Sequence, residues 1–186
     1  MAKLLEIKLY GCDILKEIAE PVKEMTSELQ SFIEDMIFTM YYSEGIGLAA
    51  PQVGLKKRII VCDCEYSKTG QKNPLIIINP EFTEYSGEFL AEEGCLSIPN
   101  IFADVVRFKY ITLKYFDQEL KEQIISAEDV FATVIQHEYD HLNGVLFIDK
   151  VNSLKKMSFG FKLNRILEKG KLMSQEPVYK DIKENK

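Results

Sequence analysis

Only two histidines occur among the 186 residues, which excludes any site built on three imidazoles. Four cysteines (Cys12, Cys62, Cys64, Cys95) are too few for a disulfide scaffold at this length and read as thiols or metal ligands. No apolar run approaches the ~18 residues needed to cross a bilayer as a helix. Met1-Ala2-Lys3-Leu4-Leu5-Glu6 lacks the apolar stretch and cleavage pattern of a secretory signal, so a cytoplasmic location is the expectation. Internal repeats and linker-like stretches are missing too. One catalytic-size domain over residues 1–170 is therefore expected, with 171–186 as a polar, lysine-rich, flexible tail.

What is present suits a soluble globular protein, with 46% hydrophobic and 28% charged residues. The formal charge of −6 is uneven: residues 150–186 hold ten Lys/Arg and four Asp/Glu, leaving −12 on residues 1–149. A basic end on an acidic body fits either a nucleic-acid contact or a solvated helix face.

Apolar residues at three- and four-residue spacing (Leu29, Phe32, Ile33, Met36, Ile37, Met40) predict a helix over Glu28–Ser43, with Ser27 and Gln30 as a capping box. Arg58–Cys62 and Leu75–Ile78 read as strands, the second stopped by Asn79-Pro80. Val105–Phe116 alternates as a long strand, with Glu119–Ile125 returning as its hairpin partner. A second helix is expected over Ala127–Asn143, capped by Ser126 and ended by Gly144. A third is expected over Ser153–Lys169, packed through Leu154, Met157, Phe161, Leu163, Ile166 and Leu167. The sum is an α+β domain.

Both histidines fall in Gln136-His137-Glu138-Tyr139-Asp140-His141, a His-Glu-x-x-His pattern inside the second predicted helix. At about 100° per residue, positions four apart differ by about 40° around the axis, so both imidazoles can face one ion. Glu138 then sits beside them, placed to act on water without binding the ion. Val130 and Val134 continue the stripe and would wall the site. Two histidines do not complete a catalytic site of the zinc type, which uses three protein ligands. Asp149, Glu168 and Cys95 are the choices, and Cys95 is favoured by its place in Glu92-Glu93-Gly94-Cys95-Leu96-Ser97. Cys62 and Cys64, two apart, read as buried thiols on one strand face. A last segment, Gly45-Ile46-Gly47-Leu48-Ala49-Ala50-Pro51-Gln52-Val53-Gly54, carries almost no side-chain bulk and lets another backbone come close. It is not a phosphate loop, because no Lys-Ser/Thr follows its last glycine. From the residues alone, a zinc endopeptidase and a non-catalytic metal-binding module remain open beside an amide hydrolase.

In order and spacing, these three segments resemble the motifs of the peptide deformylases, closely over about residues 45–144. That resemblance implies removal of the formyl group from the N-terminal formyl-methionine of new polypeptides. It implies antiparallel or mixed sheets packed around the His-Glu-x-x-His helix, with a C-terminal helix behind. It implies Cys95, His137 and His141 as ligands of one divalent ion, iron(II) as the native occupant and zinc, nickel or cobalt as others. Glu138 would be the acid/base. The Gln52 side chain and the Leu96 N–H would stabilise the developing oxyanion. Ile46, Gly47 and Gly94 would pair with the substrate backbone, and Val134 with Ile46 would line the methionine pocket. The resemblance also makes ribosome docking by the basic C-terminal helix an expectation.

Overall fold

The computed structural model describes residues 2–173. Helix α1 (Ser27–Tyr42) is followed by strand β1 (Gly47–Ala49), a 3-10 turn (Ala50–Val53) and strand β2 (Ile59–Cys62). Then come a single helical turn α2 (Tyr66–Thr69) and two long strands, β3 (Leu75–Cys95) and β4 (Ile98–Phe116). Strand β5 (Glu122–Glu128), helix α3 (Asp129–Leu142) and the short helix α4 (Phe147–Lys150) lead into α5 (Ser153–Ser158) and α6 (Gly160–Met173). The strands form one five-stranded sheet in the order β1-β2-β3-β4-β5, with every neighbouring pair antiparallel.

The run Ile59-Ile60-Val61-Cys62 is apolar at every position because β2 is covered on both faces. Ile59 and Val61 pack with Leu29, Phe32, Met36 and Met40 of α1. Ile60 and Cys62 pack with Ala132, Val134, Ile135 and Leu142 of α3. A third apolar group, including Ile98, Ile101, Val105, Phe147, Leu163 and Ile166, fills the space between the β3–β4 hairpin tip and the C-terminal helices.

Several boundaries differ from those expected. The cap of α1 is Thr26, whose Oγ1 accepts from the Leu29 N–H at 3.2 Å, so the Ser27–Gln30 box does not form. Asn79-Pro80 does not stop the strand; Asn79 has φ 50 and the register shifts between Ile78 and Glu81, a bulge that tolerates the missing proline N–H. The Asn79 amide also clamps Val22 from both sides, donating to its O at 2.7 Å and accepting from its N–H at 2.8 Å. The return strand begins at Glu122 rather than Glu119 and runs through Ser126, which bonds Thr112 across the ladder instead of capping a helix. Accordingly α3 starts at Asp129.

The third predicted helix breaks at Phe159-Gly160 into α5 and α6. Glycine is a poor helix former, and Asn152 caps α5 separately by accepting from the Lys155 N–H at 2.9 Å. Leu154, Met157 and Phe161, expected in the core, are exposed, whereas Leu163 and Ile166 are buried. Residues 171–173 continue α6 rather than belonging to a flexible tail; 174–186 lie outside the described residues. Among the described residues no helix is long and apolar enough to cross a membrane. Cys62 ends β2 and Cys64 lies beyond it, so they do not share a strand face. All four cysteines are free thiols, and burial pushes Cys64 up to about 11.

The loop after β2 is held by Asp63, which is buried and accepts hydrogen bonds from the Tyr41 hydroxyl at 2.5 Å and the Asn73 N–H at 2.7 Å. Its own N–H bonds the Ile46 carbonyl at 2.9 Å, so the same loop supports the segment entering β1. Burial raises the Asp63 carboxyl, but Tyr41 and the backbone donors outweigh it and leave its pKa lowered. A lowered folded-state pKa contributes stability above the ordinary aspartate range and loses it as pH falls through the lowered value. Asp63→Asn should therefore cost about 1–3 kcal/mol at neutral pH. It should also flatten the acid limb of a urea-denaturation series; an unchanged midpoint at pH 7 would remove Asp63 from the supports.

Candidate metal centre

Cys95 is the last residue of β3, and the two-residue turn Leu96-Ser97 carries the chain into β4. His137, Glu138 and His141 project from α3. The Cys95 Sγ lies 3.3 Å from Nε2 of His141, and one donor atom from each of Cys95, His137 and His141 lies within 4.8 Å of the others. The histidine rings stand at 5.0 Å between centroids with an interplanar angle of 73°, as the one-turn spacing on a helix allows. Burial, followed by His137 and Arg107, holds His141 well below the ordinary histidine range, so it presents a neutral imidazole.

The His137 ring is fixed from behind. Its Nδ1 bonds Glu93 Oε2 at 2.7 Å, which leaves Nε2 for the cluster. Glu93 also takes a two-pronged contact from Arg107, Nε to Oε1 at 2.5 Å and Nη2 to Oε2 at 2.9 Å. The third arm of the fork, Nη1, bonds Asp140 at 2.6 Å. Glu93 and Arg107 are 4% and 3% exposed, so this ion pair is screened by almost no water. Burial alone would raise the Glu93 carboxyl; Arg107 and His137 bring it down to about 2. A second clamp sets the rotation of α3: the Gln136 amide donates to the Phe108 carbonyl at 2.8 Å and accepts from the Phe108 N–H at 3.0 Å on β4.

Glu138 points away from this network. It is 4% exposed, and its Oε2 has no hydrogen-bond partner in the protein. Burial pushes its carboxyl up to about 7. Gly47 faces it so closely that a Cβ there would lie 2.6 Å from Glu138 Oε1, so only glycine lets β1 approach α3 at this point. Gln52, also buried, accepts from the Ala49 N–H at 2.8 Å through Oε1. That bond turns Nε2 towards Ser97 Oγ at 3.3 Å and Cys95 Sγ at 3.4 Å.

A cleft of about 870 Å³ opens beside these groups. It brings together Ile46, Gly47, Gln52, Gly94, Cys95, Leu96, Val134, His137 and Glu138, with Val130 exposed at its mouth. His141 sits behind Cys95. The other two ligand choices do not converge here: Asp149 pairs with Lys16 at 2.6 Å, and Glu168 with Lys171 at 2.9 Å. A thiol and two imidazoles, one ring nitrogen of each histidine free for the task, fit a single divalent ion with one side left open to the cleft.

Three comparisons bear on this arrangement. A family model described as polypeptide deformylase matches residues 4–157. The chain belongs to the polypeptide deformylase family. The peptide deformylase of Halothermothrix orenii is 48% identical over 149 residues, covering 80% of this chain and 94% of the relative. That of Thermodesulfovibrio yellowstonii is 46% identical over 156 residues, covering 84% and 94%. The crystallised peptide deformylase of Plasmodium falciparum superposes with a TM-score of 0.85 at 37% identity, covering 92% of this chain and all of that one. Deformylases are enzymes whose known role is removal of N-terminal formyl groups from nascent peptides.

Glu93, Arg107, Gln136 and Asp140 escaped the sequence reading as supports of this deformylase site. One signal was available: in β4 the inward positions are Ala103, Val105, Arg107, then Ile111 and Leu113, and a cation in that series requires a buried partner. Arg107→Met should leave Glu93 buried with only the His137 ring and Asp140 with only Lys150, and cost about 3–5 kcal/mol in urea denaturation. It should also lower metal affinity by about 10–100-fold, read by competition with a chelator. Stability within experimental error of the parent would show that the network is not a support.

Proposed function

We propose that this chain is a cytoplasmic, metal-dependent amide hydrolase. It removes the formyl group from the formyl-methionine terminus of new polypeptides and releases formate, within one catalytic domain over residues 1–170. One observation carries the reading: Cys95 and His137, clustered with His141 behind them, share one cleft with Glu138, whose Oε2 has no partner in the protein. Cys95, His137 and His141 would hold a divalent ion; iron(II) is favoured by the family, and zinc, nickel and cobalt suit the same donors. Such an ion supplies Lewis acidity towards oxygen and acidifies water.

The remaining chemistry belongs to side chains and backbone. Glu138, buried and raised to about 7, takes a proton from the attacking water and delivers it to the leaving amine nitrogen. The Gln52 Nε2 and the Leu96 N–H donate to the oxygen that becomes negative; each such donor is typically worth about 3 kcal/mol of barrier. The substrate peptide lies as an added strand between the free edge of β1 at Ile46 and Gly47 and the β3 edge at Gly94. Gly94 leaves that edge without a side chain, beside the exposed ring of Phe102. Val134 and Ile46 receive the methionine side chain.

A formyl-methionyl peptide should release formate while casein stays intact; the reverse would replace this reading with an endopeptidase. Glu138→Gln should keep the bound metal and lose about 10²–10⁴-fold in kcat. Full turnover by that variant would end the acid/base assignment.

We further propose that the basic face of α6 contacts ribosomal RNA. Lys162, Arg165 and Lys169 are exposed on that helix, whose Leu163 and Ile166 are buried against the domain. Deleting the helix would uncover the core, so charge reversal is the cleaner test. Glu at all three positions should weaken ribosome co-sedimentation at low salt without changing turnover of a short peptide; unchanged co-sedimentation would dismiss the contact.

A further inference from the structure

The two oxyanion donors come from separate parts of the chain. Gln52 sits in the 3-10 turn after β1, and Leu96 sits in the hairpin turn between β3 and β4. The extended N-terminal segment bridges them. Its Lys8 N–H donates to the Gln52 carbonyl at 2.7 Å, and its Tyr10 N–H donates to the Ser97 carbonyl at 2.8 Å. Two residues of one extended segment therefore hold the main chain of both donor segments. The Gln52 Nε2 contact to Ser97 Oγ lies between the same two segments.

The segment is itself fixed in register. Leu9-Tyr10-Gly11-Cys12 closes as a turn, with the Cys12 N–H on the Leu9 carbonyl at 2.9 Å and Gly11 at φ +106. On the helix side, a Cβ on Gly170 of α6 would lie 2.2 Å from the Tyr10 carbonyl oxygen, and one on Gly11 would lie 2.3 Å from that of Leu167. Helix and segment thus meet backbone to backbone, with no side chain to act as a cushion. Leu96 N–H belongs to a two-residue turn, whose peptide planes are less constrained than those inside a ladder. The bond from Tyr10 to the Ser97 carbonyl ties that turn down through its main chain, beside the Gln52 contact to the Ser97 side chain.

We propose that residues Lys8–Tyr10 are a positioning strap, holding the Gln52 and Leu96 donors at the separation the oxyanion requires. This rests on the oxyanion roles given to Gln52 and Leu96 above. The strap touches neither substrate nor ion; it acts through the carbonyls of Gln52 and Ser97. Its loss would slow the step in which negative charge develops on oxygen and leave ground-state binding in place, since a donor displaced from the developing oxyanion loses its effect in the transition state.

The turn chemistry provides the variant. Tyr10 precedes a glycine at positive φ in a four-residue turn, the position that favours proline in a type II turn. Tyr10→Pro therefore deletes the donor to Ser97 and sets the proline Cδ against that carbonyl, which pushes the turn off the strap, and Tyr10→Ala removes the same side chain but keeps the N–H. With metal content matched, Tyr10→Pro should show a kcat about ten-fold below Tyr10→Ala on a formyl-methionyl peptide, with KM within about two-fold. Equal kcat values, or a difference confined to KM or to metal content, would overturn the strap. Gln52→Ala in parallel separates the two readings. If it turns over at the parental rate, the oxyanion assignment itself fails; if it is slow while Tyr10→Pro matches Tyr10→Ala, only the strap fails. Should Tyr10→Pro not fold, an amide-to-ester exchange at Tyr10 removes the same donor with the side chain intact. It is made by ligating a synthetic 1–11 thioester to a chain beginning at Cys12, and the same kcat and KM criteria decide.

Discussion

A guanidinium with almost no access to water holds the three parts of the site in one frame. Arg107 comes from the middle of β4, Glu93 from the end of β3 two residues before Cys95, and Asp140 from α3 between His137 and His141. Desolvating such charges costs several kcal/mol per ion, and only well-aligned hydrogen bonds recover it. The fork of Arg107 supplies that alignment in three bonds, two to Glu93 and one to Asp140. Glu93 spends its remaining capacity on the His137 ring. The rotation of that imidazole, and hence which nitrogen faces Cys95, follows from a salt bridge that never touches a substrate.

Against this network stands one carboxylate that is only half satisfied. Glu138 is buried beside the histidines, yet its Oε2 has no protein donor. Burial disfavours the ionised form of such a group, and its carboxyl is pushed up to about 7. Fold and site therefore share a boundary inside α3. Residues 136, 137 and 140 are satisfied by the sheet behind them, and residue 138 is left with a demand that only the cleft can meet.

Much of this was legible in the sequence, for identifiable reasons. The i, i+4 spacing of the histidines predicts a shared direction without knowledge of the fold, because helical geometry is local. The two-sided burial of β2 is likewise written in Ile59-Ile60-Val61, which lacks alternation. What could not be read depends on contacts distant along the chain. Asn79-Pro80 has the appearance of a stop, but Val22 accepts and supplies the bonds that make it a bulge inside β3. Ser126 is a good helix cap by type, but Thr112 engages it across the ladder. Leu154, Met157 and Phe161 repeat at helical spacing and still face outward, because the break at Phe159-Gly160 separates α5 from the buried stripe of α6. Convergence of Cys95 on the helix needed the family resemblance, since no local rule brings residue 95 to residue 141.

The donors of the site are widely spaced along the chain. Cys95 and His141 are 46 residues apart, and Gln52 is another 43 residues before Cys95. The entropy of closing such loops has to be met before any two donors stand side by side. A short metal-binding finger lets its cation nucleate the fold, because its ligands begin as near neighbours. Here the donors start far apart, and it is the sheet, the salt bridge and the register of α3 that bring them side by side.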